Sequence, residues 1–128
     1  MKENQIKVLK VAPHQPPEPV WLENDLEPLQ EAVSIGASYR GLIEIINLED
    51  DVCLVCNEEA KLIDLEPNRR LGRDILCGVF YVVGQDEEGE LTSLSESAFD
   101  YYAELFKEPE TITAEEVNKS IIMRFFSC

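Results

Sequence analysis

The sequence predicts a single α+β domain: an antiparallel sheet of about four to five strands packed against two helices, with a C-terminal helix or strand after them. Three observations lead there. Apolar runs of strand length recur at residues 6–11, 41–48, 52–56 and 75–84, separated by Pro-, Asp- and Glu-rich breaks. Two stretches, residues 24–33 and 93–106, join a helix-start signal to apolar residues three and four apart. The chain has 128 residues and is 45% apolar, enough for one real core. The domain is expected to span residues 1–108. Residues 109–128 are expected to be an extension that packs on it or forms an oligomer seam.

The elements follow in order. IKVLKV alternates apolar residues with lysine, the pattern of a half-buried strand. PHQPPEP excludes helix and central strand and reads as a rigid extended connector. Val20, Trp21 and Leu22 make a short strand that pairs with the first. Asn24 or Asp25 caps the first helix, Pro28 is tolerated in its first turn, and Leu26, Leu29 and Val33 form its apolar stripe. That helix is expected to end near Gly36. GLIEIINL and VCLVC read as strands joined by the tight turn EDD. NEEA then turns the chain into KLIDL, completing an antiparallel meander.

EPNRRLGRD reads as a polar connection, and ILCGVFYVVG, the most continuously apolar run, as the central strand. After the acidic turn QDEEGE, Ser93 and Glu96 match a capping box that opens the second helix. Phe99, Tyr102, Ala103 and Phe106 form its inward face. Thr113 and Glu116 form a second capping box. The tail behind it is a helix with Val117, Ile121 and Met123 or Phe125 inward, or else IIMRFF is a closing strand. The expected core includes Leu26, Leu29, Val33, Ile43, Ile45, Leu54, Phe80, Val82, Phe99, Tyr102 and Phe106.

Charge is the unusual quantity. There are 26 acidic residues against 11 basic ones, a net charge of −15. Such a field repels nucleic acid and anionic membranes and attracts basic surfaces. The plain alternative is that the charge only keeps the protein soluble. No apolar run approaches the length of a membrane span, and the N-terminus lacks the apolar stretch and cleavage site of a signal peptide. A cytoplasmic protein is expected, with Cys53, Cys56, Cys77 and Cys128 reduced and mostly buried as small hydrophobes.

Catalytic and metal chemistry find little support. Cys53 and Cys56 form a CxxC, but inside a strand, where residues three apart point to opposite faces. No second CxxC accompanies them, and His14 is the single histidine. The acidic turns lack the spacing of a calcium loop. No nucleophilic triad, phosphate loop or dinucleotide fingerprint is present. No catalytic residue, metal ligand or cofactor is therefore expected, and the protein is read as non-enzymatic. The least favoured reading is a metal-dependent hydrolase built on the acidic turns.

Two binding readings remain. In the second helix Glu96, Asp100, Glu104 and Glu108 recur every four residues, and near the first helix Glu23, Glu27 and Glu31 do the same. No Lys or Arg occurs from residue 11 to 39 or from 74 to 106. Like charges four apart weaken a helix by roughly 0.2–0.5 kcal/mol per pair, so ordinary surface helices intersperse signs. Four helical residues rise about 6 Å, the same order as charge spacing along a nucleic-acid strand. The stripe formed by Glu27, Glu31, Glu96, Asp100, Glu104 and Glu108 could thus enter a DNA-binding groove on a basic partner; its bland counterpart is a solvated acidic face. In the second reading Asn57, Glu58, Asn68, Arg69 and Arg70, near the meander turns, hold a small ligand or nucleotide. Against it, the only basic island, Arg69, Arg70 and Arg73 with Lys61, could simply neutralise nearby acids. The tail at residues 121–126 leaves a homodimer possible.

The segment RGLIEIINLEDDVCLVCNEEAKLIDLEPNRRL, followed by LCGVFYVVG and LTSLSESAFDYYAELF, resembles the family known as domain of unknown function 3846. Its members typically carry Gly-Gly before the first of these strands, an N-E-E-G turn, an L-N-R segment and an S-L-S helix start. Here Arg40 and Gly41 stand at the glycine pair and Ala60 at the turn glycine, while Asn68-Arg69 and Ser93-Leu94-Ser95 match. The resemblance covers residues 6–106 and implies no known activity. It implies a phage or mobile-element setting, where small acidic proteins inhibit host nucleases or defence complexes. By that analogy the expected partner is a basic, nucleic-acid-binding host protein, with no direct contact to nucleic acid.

Overall fold

The computed structural model describes residues 4–126, with side chains to residue 121. β1 (Gln5–Val11) and β2 (Glu18–Glu23) form an antiparallel hairpin around the proline connector. α1 (Leu26–Ala32) follows, then the hairpin β3 (Ile43–Glu49) and β4 (Val52–Asn57). β5 (Pro67–Leu71) and β6 (Asp74–Cys77) pair only with each other. β7 (Phe80–Gln85) returns to the main sheet and carries the two-residue β8 (Leu91–Thr92). α2 (Glu96–Leu105) and α3 (Ala114–Phe126) end the chain. The main sheet runs β2-β1-β7-β4-β3, all antiparallel, so β7 is indeed central.

The sheet is covered on both faces. Leu9, Val11, Leu54, Phe80 and Val82 pack under Tyr102 of α2 and Phe106 just past its end. Ile6, Val8, Cys53, Val55, Tyr81 and Val83 point the other way and pack under Leu29 of α1 and Val33 just past its end. The alternation within β1, β4 and β7 therefore places the two helices on opposite sides. Phe80 meets Phe106 edge to face, with centroids 5.1 Å apart. Tyr81 secures the other face by donating its hydroxyl to the Ala32 carbonyl at 3.0 Å, and burial pushes its pKa up to about 12. A third cluster joins Ile75 and Cys77 of the β5–β6 hairpin to Ala60, Leu65 and Val117 of α3.

Several expectations change. ILCGVFYVVG is not one strand. Gly78 adopts φ +72°, and a Cβ there would lie 2.8 Å from Leu65. That left-handed residue diverts the chain from hairpin to sheet. EPNRRLGRD is not a connection but most of the hairpin itself. KLIDL is not a strand: Ile63 N–H bonds the Glu59 carbonyl and Leu65 N–H that of Ala60, so residues 58–64 form a compact turn. It opens on Asn57, whose side-chain oxygen accepts the Glu59 N–H at 2.9 Å.

Helix starts also shift. Ser95, not Ser93, caps α2, accepting from Ala98 N–H at 3.3 Å; Ser93 instead accepts the Lys7 N–H of β1. Asp25 occupies the cap position of α1, but its carboxylate takes the Asn4 amide. Thr113 and Glu116 do form a reciprocal box, and the tail is helical rather than a strand. Val117 is inward as expected; the side chains of Met123 and Phe125 lie outside the described ones. Of the expected core, Leu26 at the start of α1 is 62% exposed and Ile45 on edge strand β3 is 43% exposed.

The CxxC behaves as a strand pair: Cys53 packs on the α1 side and Cys56 on the α2 side. Cys53 and Cys77 are free thiols, and burial pushes the pKa of each up to about 11. At pH 8 roughly one such thiol in a thousand is a thiolate, the reactive form. Iodoacetamide at that pH is expected to leave Cys53 and Cys77 unmodified by mass spectrometry until denaturant is added. Labelling of either in the native protein at the rate of a free thiol contradicts this burial.

Candidate functional site

The antiparallel pairing of β4 with β7 sets two acidic turns side by side. Val52 stands opposite Gly84, and Gln85 N–H donates to the Asp51 carbonyl at 2.9 Å. Residues 49–51 and 86–90 thus share one end of the sheet. Glu49, Asp50, Asp51, Asp86 and Glu87, with Gln85, rim a shallow recess there. Asp86 closes its own turn by accepting the Glu88 and Glu90 N–H groups, both at 2.9 Å. Among the described residues no Lys, Arg or His forms an ion pair with any of these turn carboxylates.

α2 meets the same end. Tyr102 donates its hydroxyl to Glu49 at 2.5 Å, and its pKa is driven up by burial, with the carboxylate adding to the rise. Tyr101 is 61% exposed and held edge to face against Tyr102, with centroids 4.9 Å apart. Tyr101, Ser95, Ser97, Glu49 and Asp51 line a second recess beside the first. Glu96 lies in that same first helical turn and is exposed.

The expected stripe is divided. Glu96, Asp100 and Glu104 lie exposed on α2, whereas Glu108 falls beyond its end, since the helix stops at Leu105. Lys107 sits 3.9 Å from Glu104. Glu27 and Glu31 are on α1, across the sheet, and Arg40 bridges them at 3.8 and 3.7 Å. The acidic turns, which the sequence offers only to the least favoured reading, a hydrolase, bring Glu49, Asp50, Asp51, Asp86 and Glu87 together at one end of the sheet.

The ligand set is also divided. Asn68 and Arg69 are fully buried and spend their donors on the fold. Asn68 donates to the Val11 and Gly78 carbonyls at 2.9 and 2.8 Å. Arg69 donates through Nε and Nη2 to Phe106 O (3.1 and 3.0 Å), through Nη2 to Gln15 O (2.7 Å) and through Nη1 to Asn68 (3.4 Å to O, 2.8 Å to Oδ1). None of these acceptors is a carboxylate. Burial lowers the Arg69 pKa, and the charge of Glu110 opposes that. Arg70 points outward into Glu116 and Glu110, at 2.5 and 2.6 Å, and the hydrogen bond from Arg70 holds Glu116 below the ordinary carboxylate value. Asn57 and Glu58, by contrast, line a separate cavity between β4 and the β5–β6 hairpin.

Among the described residues, no group of three or more His, Cys, Asp or Glu side chains is placed to hold a metal ion. No helix among them is long and apolar enough to cross a membrane. The profile of the family described as Domain of unknown function (DUF3846) matches residues 6–107. The chain belongs to the DUF3846 family. No curated protein and no solved structure matches it. Within this DUF3846 domain, Asn68-Arg69 and Ser93-Leu94-Ser95 both serve the fold. Asn68-Arg69 ties β5 to β1, to the Gly78 turn and to the end of α2; Ser93-Leu94-Ser95 ties β1 to the start of α2. α3 lies outside the matched residues.

Proposed function

We propose that the protein is a non-enzymatic acidic binder that docks on a basic, nucleic-acid-binding protein of the cytoplasm and inhibits it by competing with the polyanion. We further propose that it acts for a phage or mobile element against a host nuclease or defence complex. One observation supports this best: the turn carboxylates of residues 49–51 and 86–87 converge beside the exposed ring of Tyr101, with no ion pair to a cation among the described residues. Carboxylates meet Arg and Lys on a partner, and a rigid tyrosine supplies the apolar anchor that interface centres favour. Glu96, and beyond it Asp100 and Glu104, extend this surface along α2. Glu27 and Glu31, bridged by Arg40 on the far face, stand outside it.

The test is capture of basic proteins from host extract at low and high salt. Duplex DNA is added as competitor. The quadruple variant Asp50→Lys, Asp51→Lys, Glu87→Lys, Glu88→Lys is run beside the wild type. Wild type is expected to retain a protein that high salt and DNA both release, and the variant to lose it by about tenfold or more. Glu27→Lys with Glu31→Lys should retain it. Capture indifferent to salt, DNA and the four reversals rejects the proposal.

A further inference from the structure

A second binding feature lies at the other end of β4, six strand residues or roughly 20 Å from the acidic turns. The turn of residues 58–64, the β5–β6 hairpin and α3 leave between them a cavity of about 400 Å³. That falls in the usual range of small-molecule sites, roughly 300–1,000 Å³. Ile46, Leu76, Cys56 and Cys77 belong to its wall, and Ile121 contributes from α3. Among the described residues Glu58, Glu59 and Asp74 belong to its lining, against one cation. That cation, Lys61, has a side chain only 9% exposed and is bound to Asp74. The carboxylate of Asp74 also accepts the Ile75 N–H at 2.8 Å, so the pair is built into the hairpin.

From this arrangement we propose that the cavity binds a small organic cation, an apolar body carrying one ammonium group. The apolar wall takes the body, and the surplus of carboxylates, Glu58 and Glu59 above all, takes the charge. A nucleotide or other anion is disfavoured, because among the described lining residues Lys61 is already neutralised by Asp74 and Glu58 and Glu59 repel an anion. The proposal does not depend on the docking surface at the acidic turns.

The probes are hexylamine and phenethylamine, with hexanoate, methylamine and adenosine monophosphate as controls, followed by amide NMR titration and thermal denaturation. The two amines are expected to saturate, to raise the melting temperature, and to shift resonances of residues 56–62 and 74–77. Hexanoate, methylamine and the nucleotide should leave those resonances unmoved at the same concentrations. The Glu58→Gln, Glu59→Gln double variant, changed only at the rim, is expected to weaken amine binding by about fivefold or more. Three results overturn the proposal: amine shifts spread over the acidic turns instead, hexanoate binding as well as hexylamine, or unchanged affinity in the double variant.

Discussion

Arg69→Ala is expected to destabilise the domain by about 3–5 kcal/mol, the combined effect of buried acceptors left without a donor and of a cavity. Its guanidinium is fully buried, and its donors end on the carbonyls of Gln15, Phe106 and Asn68 and on the Asn68 side chain. Removing it opens a cavity and leaves the Phe106 and Gln15 carbonyls without this donor, each such loss costing about 1–3 kcal/mol. Arg69→Met restores volume but no donor, so it should recover less than half of the loss. Arg69→Lys should also fail, because one ammonium cannot span acceptors that a planar fork reaches together. Urea unfolding at constant slope gives the values. A loss under about 1 kcal/mol for alanine would mean that water replaces the arginine, and the proposed role of the Asn68-Arg69 pair would be wrong.

Gly84→Ala is expected to cost about 2–3 kcal/mol, toward the upper end of overpacking. A Cβ there would lie 2.4 Å from the Ser93 carbonyl oxygen and 2.5 Å from Thr92 Oγ1. The first of these is backbone, and Ser93 is itself fixed through its hydroxyl to Lys7 N–H. Gly84 is also paired to Val52 on one side and Thr92 on the other, so β7 cannot shift without opening the sheet. The readouts are the melting transition and binding of the basic partner, since β8 anchors one of the two acidic turns. A variant that melts like the wild type would show that Thr92 and Ser93 move aside freely.

The elements whose apolar pattern is local were legible. β1 alternates, and β3 and β4 flank an obvious turn. What escaped sequence reasoning depends on both faces of the sheet being buried. β4 is buried along its whole length and β7 at all but its last residue, so period two gives no sign of which helix lies on which side. A bulge in β5 between Pro67 and Arg69 lets Asn68 and Arg69, adjacent in sequence, both point inward. Nothing in PNRR announces that, and three arginines in nine residues read as surface. The glycine inside ILCGVFYVVG was a usable signal for a break. The two acidic turns were each visible as turns. Their meeting was not, because it needs β4 and β7, some thirty residues apart, to be neighbours.

The position of β7 bears on how the chain is made. β1–β2 and β3–β4 can each close as hairpins soon after they leave the ribosome. The strand that unites them does not exist until residue 85 has been synthesised. At roughly 5–20 residues per second, the interval after β4 lasts a few seconds. Throughout it, the inner edges of β1 and β4 stay open on the nascent polypeptide, with apolar side chains on either side of each. Translational pauses between β4 and β7 would lengthen that exposure, and with it the dependence on chaperones.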